Sequence, residues 1–272
     1  MGLRLRLLPY AVALVAAIAL VAPPLARSQQ TQSDLAKYMH GDQKSGYIYA
    51  TAQTRAIQDD DFQNPGSLWT DKGKKLWNTV DGTAGQSCAS CHNAAETSMK
   101  GVGATYPKYD AKVGHVIDLE QRINLERARM GATSWKWESD PLLSMTIYVK
   151  NQSRGMPVNV TSDGPAHATW VQGKAFYEAR RGQLDMSCAQ CHVQNNDRKL
   201  RSETVSQGQT NGFPTYRLKW QAVGSAQRRF RGCNVKVRAQ PLPFGSPQYV
   251  ALELYLAARG SGLPVETPSV RK

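Results

Sequence analysis

The sequence predicts a mainly α-helical protein built from two tandem modules behind a short N-terminal extension. Three observations carry that expectation. A Cys-x-x-Cys-His pentapeptide occurs twice, the residues ahead of it repeat at an offset of one hundred, and strand signals are few. A repeat on this scale is read before any single element. The chain has 272 residues, with 20% charged and 41% hydrophobic, which excludes a disordered tail and a polytopic membrane protein. Its formal charge is +13, and its five cysteines, an odd number, exclude a complete internal disulfide framework.

Taken in order, residues 1–28 read as a secretory signal peptide. Arg4 and Arg6 open it, the apolar run Ala11 to Ala22 follows, and small residues flank Arg27 at Ala26 and Ser28. The run is too short for a membrane span, which needs about 20 apolar residues. Export is therefore expected, with no membrane span in the mature chain and the bacterial periplasm as its compartment. Residues 29–64 form the extension, 65–155 the first module and 165–260 the second, with Gly155 to Pro165 as linker. Residues 261–272 are expected to run over the surface as a C-terminal tail.

Each module opens with a helix carrying a glycine and an aromatic: Gly73, Leu76 and Trp77 in the first, Gly173, Phe176 and Tyr177 in the second. Each closes with another helix. Ser139-Asp140-Pro141 precedes Leu142, Met145 and Tyr148; Ser246-Pro247 precedes Val250, Leu252, Leu254 and Leu256, with Gly260 as the stop. The glycine is expected where the two helices cross closely.

The pentapeptides are Cys88-Ala89-Ser90-Cys91-His92 and Cys188-Ala189-Gln190-Cys191-His192. Cys-x-x-Cys-His is the attachment signature of c-type haem: two thiols form thioethers to the porphyrin, and the adjacent imidazole reaches the iron. Zinc pairs lie about 12–20 residues apart, far closer than these. Two covalent haems are expected, with His92 and His192 as proximal ligands, so the modules read as cytochrome c-like domains.

The sixth ligand tunes a haem. Between His192 and the last helix there is no other His and no Met, but there is Cys233. It is the natural distal ligand of the second haem, against the blander reading of an inert thiol. Arg228, Arg229 and Arg231 crowd it in sequence, and a positive field favours thiolate. If the segment is helical, Arg229 shares its face. Arginine suits capture of a compact oxyanion, so the segment points to chemistry on an anionic sulfur compound. Nucleic acid is not expected, because the aromatics are used in the cores. In the first module the same interval holds His115 and Met130, which both stand as candidates.

The run Asn211 to Trp220, then Arg228 to Cys233, Tyr249 to Leu256 and Gly262 to Glu266 resembles the SoxA family. So do Cys88 to His92, Gly101 to Pro107 and Leu119 to Leu125. SoxA proteins are the dihaem subunits of the SoxAX L-cysteine S-thiosulfotransferase of bacterial sulfur oxidation. The resemblance implies a monohaem SoxX-like partner and thiosulfate as substrate, joined oxidatively to a cysteine of the SoxYZ carrier. It also implies that Cys233 is a persulfide-bearing catalytic ligand, that Arg229 binds substrate, and that Lys219 assists weakly. A pure dihaem electron carrier and a thiosulfate dehydrogenase forming tetrathionate are the alternatives. One position departs from the family: where dihaem members carry a cysteine ligating the first haem, this chain has Glu126. Glu126 therefore joins His115 and Met130 as a candidate, beside an open site.

Overall fold

The computed structural model describes residues 1–2 and 32–272, so the signal peptide expected over 1–28 lies, but for its first two residues, outside the described residues. The described chain is mostly helical with very short strands. Helix α1 (Ala52–Asp59) is opened by the Thr51 hydroxyl, which accepts the Thr54 N–H. The chain then runs through α2 (Ser67–Asn78), α3 (Cys88–His92), the hairpin β1 (Lys108–Asp110) and β2 (His115–Ile117), α4 (Leu119–Arg129) and α5 (Asp140–Asn151). The same order follows again: α6 (His167–Glu178), α7 (Cys188–His192), β3 (Thr215–Arg217), β4 (Ala222–Gly224), α8 (Ala226–Lys236) and α9 (Pro247–Arg259). A last strand, β5 (Ser269–Arg271), pairs parallel to β3, on the edge opposite the antiparallel β4.

The repetition extends to single contacts. Asp118 caps α4 by accepting the Gln121 N–H, and Ser225 caps α8 by accepting the Arg228 N–H, an offset of 107 residues. The helix crossings obey the same rule. A Cβ on Gly73 would come 2.2 Å from the Ser144 carbonyl and 2.5 Å from Tyr148 Cβ. On Gly173 it would come 2.0 Å from the Ala251 carbonyl and 2.8 Å from Tyr255 Cβ. The glycines are thus the residues that let α2 reach α5 and α6 reach α9, as the sequence led one to expect.

The halves exchange their hairpins. Val116 of β2 packs with Val250 and Leu254 of α9, while Val223 of β4 packs with Leu143 and Ile147 of α5. Leu254 and Ile147 are fully buried, and burying such a side chain is worth roughly 1.5–3 kcal/mol. Each half therefore completes its neighbour's core.

Two expectations about the connections need correction. The stretch Gly155 to Pro165 is not a free linker: the Gly155 and Val158 N–H groups donate to the Val265 and Leu263 carbonyls, and Val158 and Val160 are buried. Nor do residues 261–272 run over the surface. Leu263, Ser269 and Val270 are fully buried. Glu266, also buried, accepts Gln58 Nε2 at 3.0 Å, Asn211 Nδ2 at 3.0 Å and an Arg271 N–H at 2.6 Å. The prolines and terminal basic residues signalled exposure, yet Val270 fills the strand beside β3 and Arg271 finds the buried carboxylate of Glu266. This network ties α1 to the end of the chain.

Candidate active site

The second half assembles its site on one turn of helix. The Ser187 hydroxyl accepts the Gln190 N–H at 3.2 Å, and Gln190 Oε1 accepts the Ser187 N–H at 2.8 Å. This capping box starts α7 and sets Cys188, Cys191 and His192 in fixed order. His192 Nδ1 lies 2.7 Å from the Ser206 carbonyl and donates to it. That bond settles the tautomer and leaves Nε2 as the nitrogen available to Cys233. Gly208 lies flat against the imidazole: a Cβ there would be 2.8 Å from His192 Cγ, and its φ of +76° suits only glycine well.

Across from His192 comes Cys233, half-buried on α8. Burial pushes its thiol up, but Arg229, a hydrogen bond with His192 and Lys236 together pull it down to about 6. Two of the attachment cysteines behave oppositely. Burial pushes Cys188 up to about 11 and raises Cys88 as well. Of these thiols, Cys233 is the one the protein prepares as a thiolate, the nucleophilic and metal-binding form.

The arginine cluster disperses in space. Arg229 faces Cys233, but Arg228 stacks over Trp220 at 4.4 Å and lies 3.9 Å from Glu138. Arg231 donates to the Leu242 carbonyl and covers the Phe244 ring at 4.6 Å. The expectation that all three crowd the thiol is therefore corrected: residues i−5 and i−2 leave the face that i−4 shares. Two other bases take their place, Lys236 one turn on and Arg217 from β3. Burial and the Arg229 charge lower the Arg217 guanidinium to about 10. Lys236 was legible at i+3; Arg217, brought in by the hairpin, carried no sequence signal. Lys219 is exposed and paired with Glu203, whose carboxylate also feels Arg217 and Arg229.

In the first half, Ser87 and Ser90 form the same capping box before Cys88, Cys91 and His92. The His92 ring is 5.8 Å from the Trp77 ring, whose Nε1 donates to the Asn93 carbonyl at 2.9 Å. Glu126 stands at the position in α4 that Cys233 holds in α8, and it accepts from Arg122 and Arg129. His115 is exposed opposite Asp110, and Met130 is buried at the end of α4.

The residues present fit c-type haem. Both Cys-x-x-Cys-His turns are rigidly capped, His192 turns Nε2 rather than Nδ1 toward Cys233, and a glycine cradle that a Cβ would fill backs the ring. A cleft of about 750 Å³ opens in the second half, walled by Phe176, Arg181, Asn234 and Leu242. Cys188 and Phe176 pack on the same core cluster.

Comparison with known proteins agrees with this chemistry. Residues 72–158 match the family "SoxA/TsdA, cytochrome c domain", a domain that implies covalently bound c-type haem. The chain is 46% identical over 229 residues to the L-cysteine S-thiosulfotransferase subunit SoxA of Rhodovulum sulfidophilum, covering 84% of this chain and 80% of that one. It is 45% identical over 230 residues to the corresponding subunit of Pseudaminobacter salicylatoxidans, covering 84% and 80%. The crystal structure of SoxXA from P. pantotrophus is similar with a TM-score of 0.82 and 44% identity, covering 88% of this chain and 90% of that chain. The chain therefore belongs to the SoxA family of L-cysteine S-thiosulfotransferase subunits.

Proposed function

We propose that this chain is a dihaem catalytic subunit of an exported, periplasmic L-cysteine S-thiosulfotransferase. It is made of two cytochrome c-like domains, 65–155 and 165–260, behind the extension 29–64, and works beside a SoxX-like monohaem subunit. Cys88 and Cys91 would hold one haem with His92 at its iron. Cys188 and Cys191 would hold the other, between His192 and Cys233. The reaction joins the sulfane sulfur of thiosulfate to a cysteine thiol of the SoxYZ carrier. One sulfur–sulfur bond forms, the thiol proton is lost and two electrons leave. When bound, the haems supply the acceptor for those electrons.

The protein's own residues have separate tasks in this scheme. Arg229 holds the sulfonate end of thiosulfate by charge-assisted hydrogen bonds, which are stronger than neutral ones. Arg217 and Lys236 keep the pocket positive, so the dianion enters without repulsion. The Cys233 sulfur, carrying a persulfide in the working enzyme, would be the thiolate-level sulfur beside that anion, and the bond forms only as the two electrons leave. Ser206 fixes His192 in one tautomer. The observation that carries the reading is the convergence of Arg229 and His192 on Cys233, which turns a buried thiol toward the thiolate.

Intact-mass and peptide mass spectrometry of the exported protein tests it: two covalent haems and one additional sulfur on Cys233 are expected. Cys233→Ser should keep both haems and abolish SoxYZ-dependent thiosulfate turnover. A variant that turns over normally would leave Cys233 without a role in the sulfur chemistry, and turnover without SoxYZ would make the protein a thiosulfate dehydrogenase.

A further inference from the structure

The strict repetition of the two halves places Glu126 where the second half has its metal-facing thiol. Helices α4 and α8 both run eleven residues from caps 107 positions apart. Their ends pack alike too: a Cβ on Gly82 would meet the Met130 carbonyl at 2.3 Å, and one on Gly182 the Val237 carbonyl at 2.1 Å. In this frame Glu126 corresponds to Cys233, Arg122 to Arg229, Met130 to Val237 and His115 to Ala222.

Glu126 is already engaged. Its Oε1 accepts from Arg122 at 3.0 Å and from Arg129 at 2.9 Å, and its Oε2 accepts from Arg129 at 2.8 Å. Arg122 also pairs with Asp110, and Tyr106 reaches the same guanidinium. Turning Glu126 toward a metal would break three charge-assisted bonds and strand Arg122 beside one carboxylate. The two other candidates are misplaced. Met130 lies four residues beyond Glu126, about 6 Å along the axis at 1.5 Å per residue, where the second half has a valine. His115 starts β2 at an exposed position, where the second half has an alanine.

We infer that this chain gives the far face of its first haem no side-chain ligand, so that the first half is an open binding site for a small neutral molecule. The inference rests on the two-haem reading above. The ligand class follows from the charges: Arg122 is paired with both Asp110 and Glu126, whereas its counterpart Arg229 has no carboxylate on its own helix. The second site therefore attracts an anion, and the first is locally neutral. A neutral diatomic suits it, and carbon monoxide is the probe.

The test uses the holoprotein. Electron paramagnetic resonance and resonance Raman spectra should show one high-spin and one low-spin haem per chain, and the reduced protein should bind one equivalent of carbon monoxide to the high-spin haem. Glu126→Cys should convert that haem to low spin and abolish the binding, while His115→Ala and Met130→Leu should leave the high-spin fraction unchanged. Two low-spin haems in the unaltered protein would overturn the inference and leave the two-haem reading standing. So would a high-spin signal that appears only on changing His115 or Met130, or carbon monoxide binding that persists in Glu126→Cys. A single haem by mass, with Cys88 and Cys91 free, would overturn both.

Discussion

Arg229 stands one helical turn before Cys233 and is the leading charge that offsets the burial of its thiol. In the proposed reaction the two residues act as one unit, an anion clamp and a sulfur atom on the same helical face. Hydrogen bonds to a charged group contribute about 1.5–3 kcal/mol, or roughly 10- to 150-fold at 1.4 kcal/mol per decade. Arg229→Ala should therefore lower kcat/KM for thiosulfate by about that factor, and Arg229→Lys, which keeps the charge but loses the fork, should fall between. Steady-state rates with SoxYZ as acceptor measure this. An alanine variant within twofold of the parent would remove Arg229 from substrate binding.

The proximal side depends on a glycine. With φ at +76° and the His192 ring against its Cα, Gly208 leaves no space for a side chain. Gly208→Ala should push the imidazole off its bond to the Ser206 carbonyl and, with His192 at an iron as proposed, change the field at that metal. On the two-haem reading both haems should remain attached, because the attachment cysteines lie outside this loop. The expected result is a shift in the second haem's reduction potential with unchanged haem content, read by redox titration. An unchanged potential would show that the ring tolerates the substitution.

Much of this site was legible in the sequence because its signals are local. Two attachment turns, a lone cysteine after the second, and an arginine at i−4 on a helix can all be read from spacing. The glycine–carbonyl crossings could be read too, since close packing demands the missing Cβ. What could not be read is what the fold brings from afar. Arg217 reaches Cys233 from a hairpin, and Arg228 and Arg231 leave it for Trp220 and Phe244, because aromatic faces compete for guanidinium groups. The reciprocal hairpin exchange was hidden for the same reason: Val116 and Val223 look like ordinary strand residues until the two halves dock. The C-terminal residues were misread because their composition resembles a tail, while β3 and the buried Glu266 network that hold them come from distant parts of the chain.

The crossings make a sharp prediction about stability. Gly173→Ala would drive a methyl to 2.0 Å from the Ala251 carbonyl, which is backbone and cannot step aside. Overpacking of this kind costs about 1–3 kcal/mol and occasionally more. Gly73→Ala faces the same problem against Ser144 at 2.2 Å. Each should lower the urea midpoint of the holoprotein with an unchanged slope. A midpoint equal to the parent's would mean that α6 and α9 separate at no cost, contrary to the packing described.

Where the halves meet, Asp118 and Glu120 of α4, Lys150 of α5 and Glu253 of α9 form a buried charge cluster, with Gln227 of α8 donating to Asp118 at 3.1 Å. Burial raises Asp118, and the neighbouring Glu120 charge raises it further. Burial likewise raises Glu120, which also feels Glu138, and Glu253, which also feels Asp118 and Glu120. Burial lowers Lys150. A carboxyl whose folded value exceeds its unfolded one contributes stability that is fully present below the unfolded carboxylate range and is lost as pH rises through the folded value. Stability should therefore decline as pH climbs out of the acid range, until those acids ionise. Lys150 acts at the alkaline end in the opposite sense, because charge there is what burial penalises. Asp118→Asn with Glu253→Gln keeps the cap and the shapes while removing two of the titrating groups, so the decline should flatten. Urea midpoints of the parent and the double variant, measured from acid to alkaline pH, decide it. Parallel curves would mean that these carboxyls are ionised in the folded protein and that the junction between the halves holds its charges without protons.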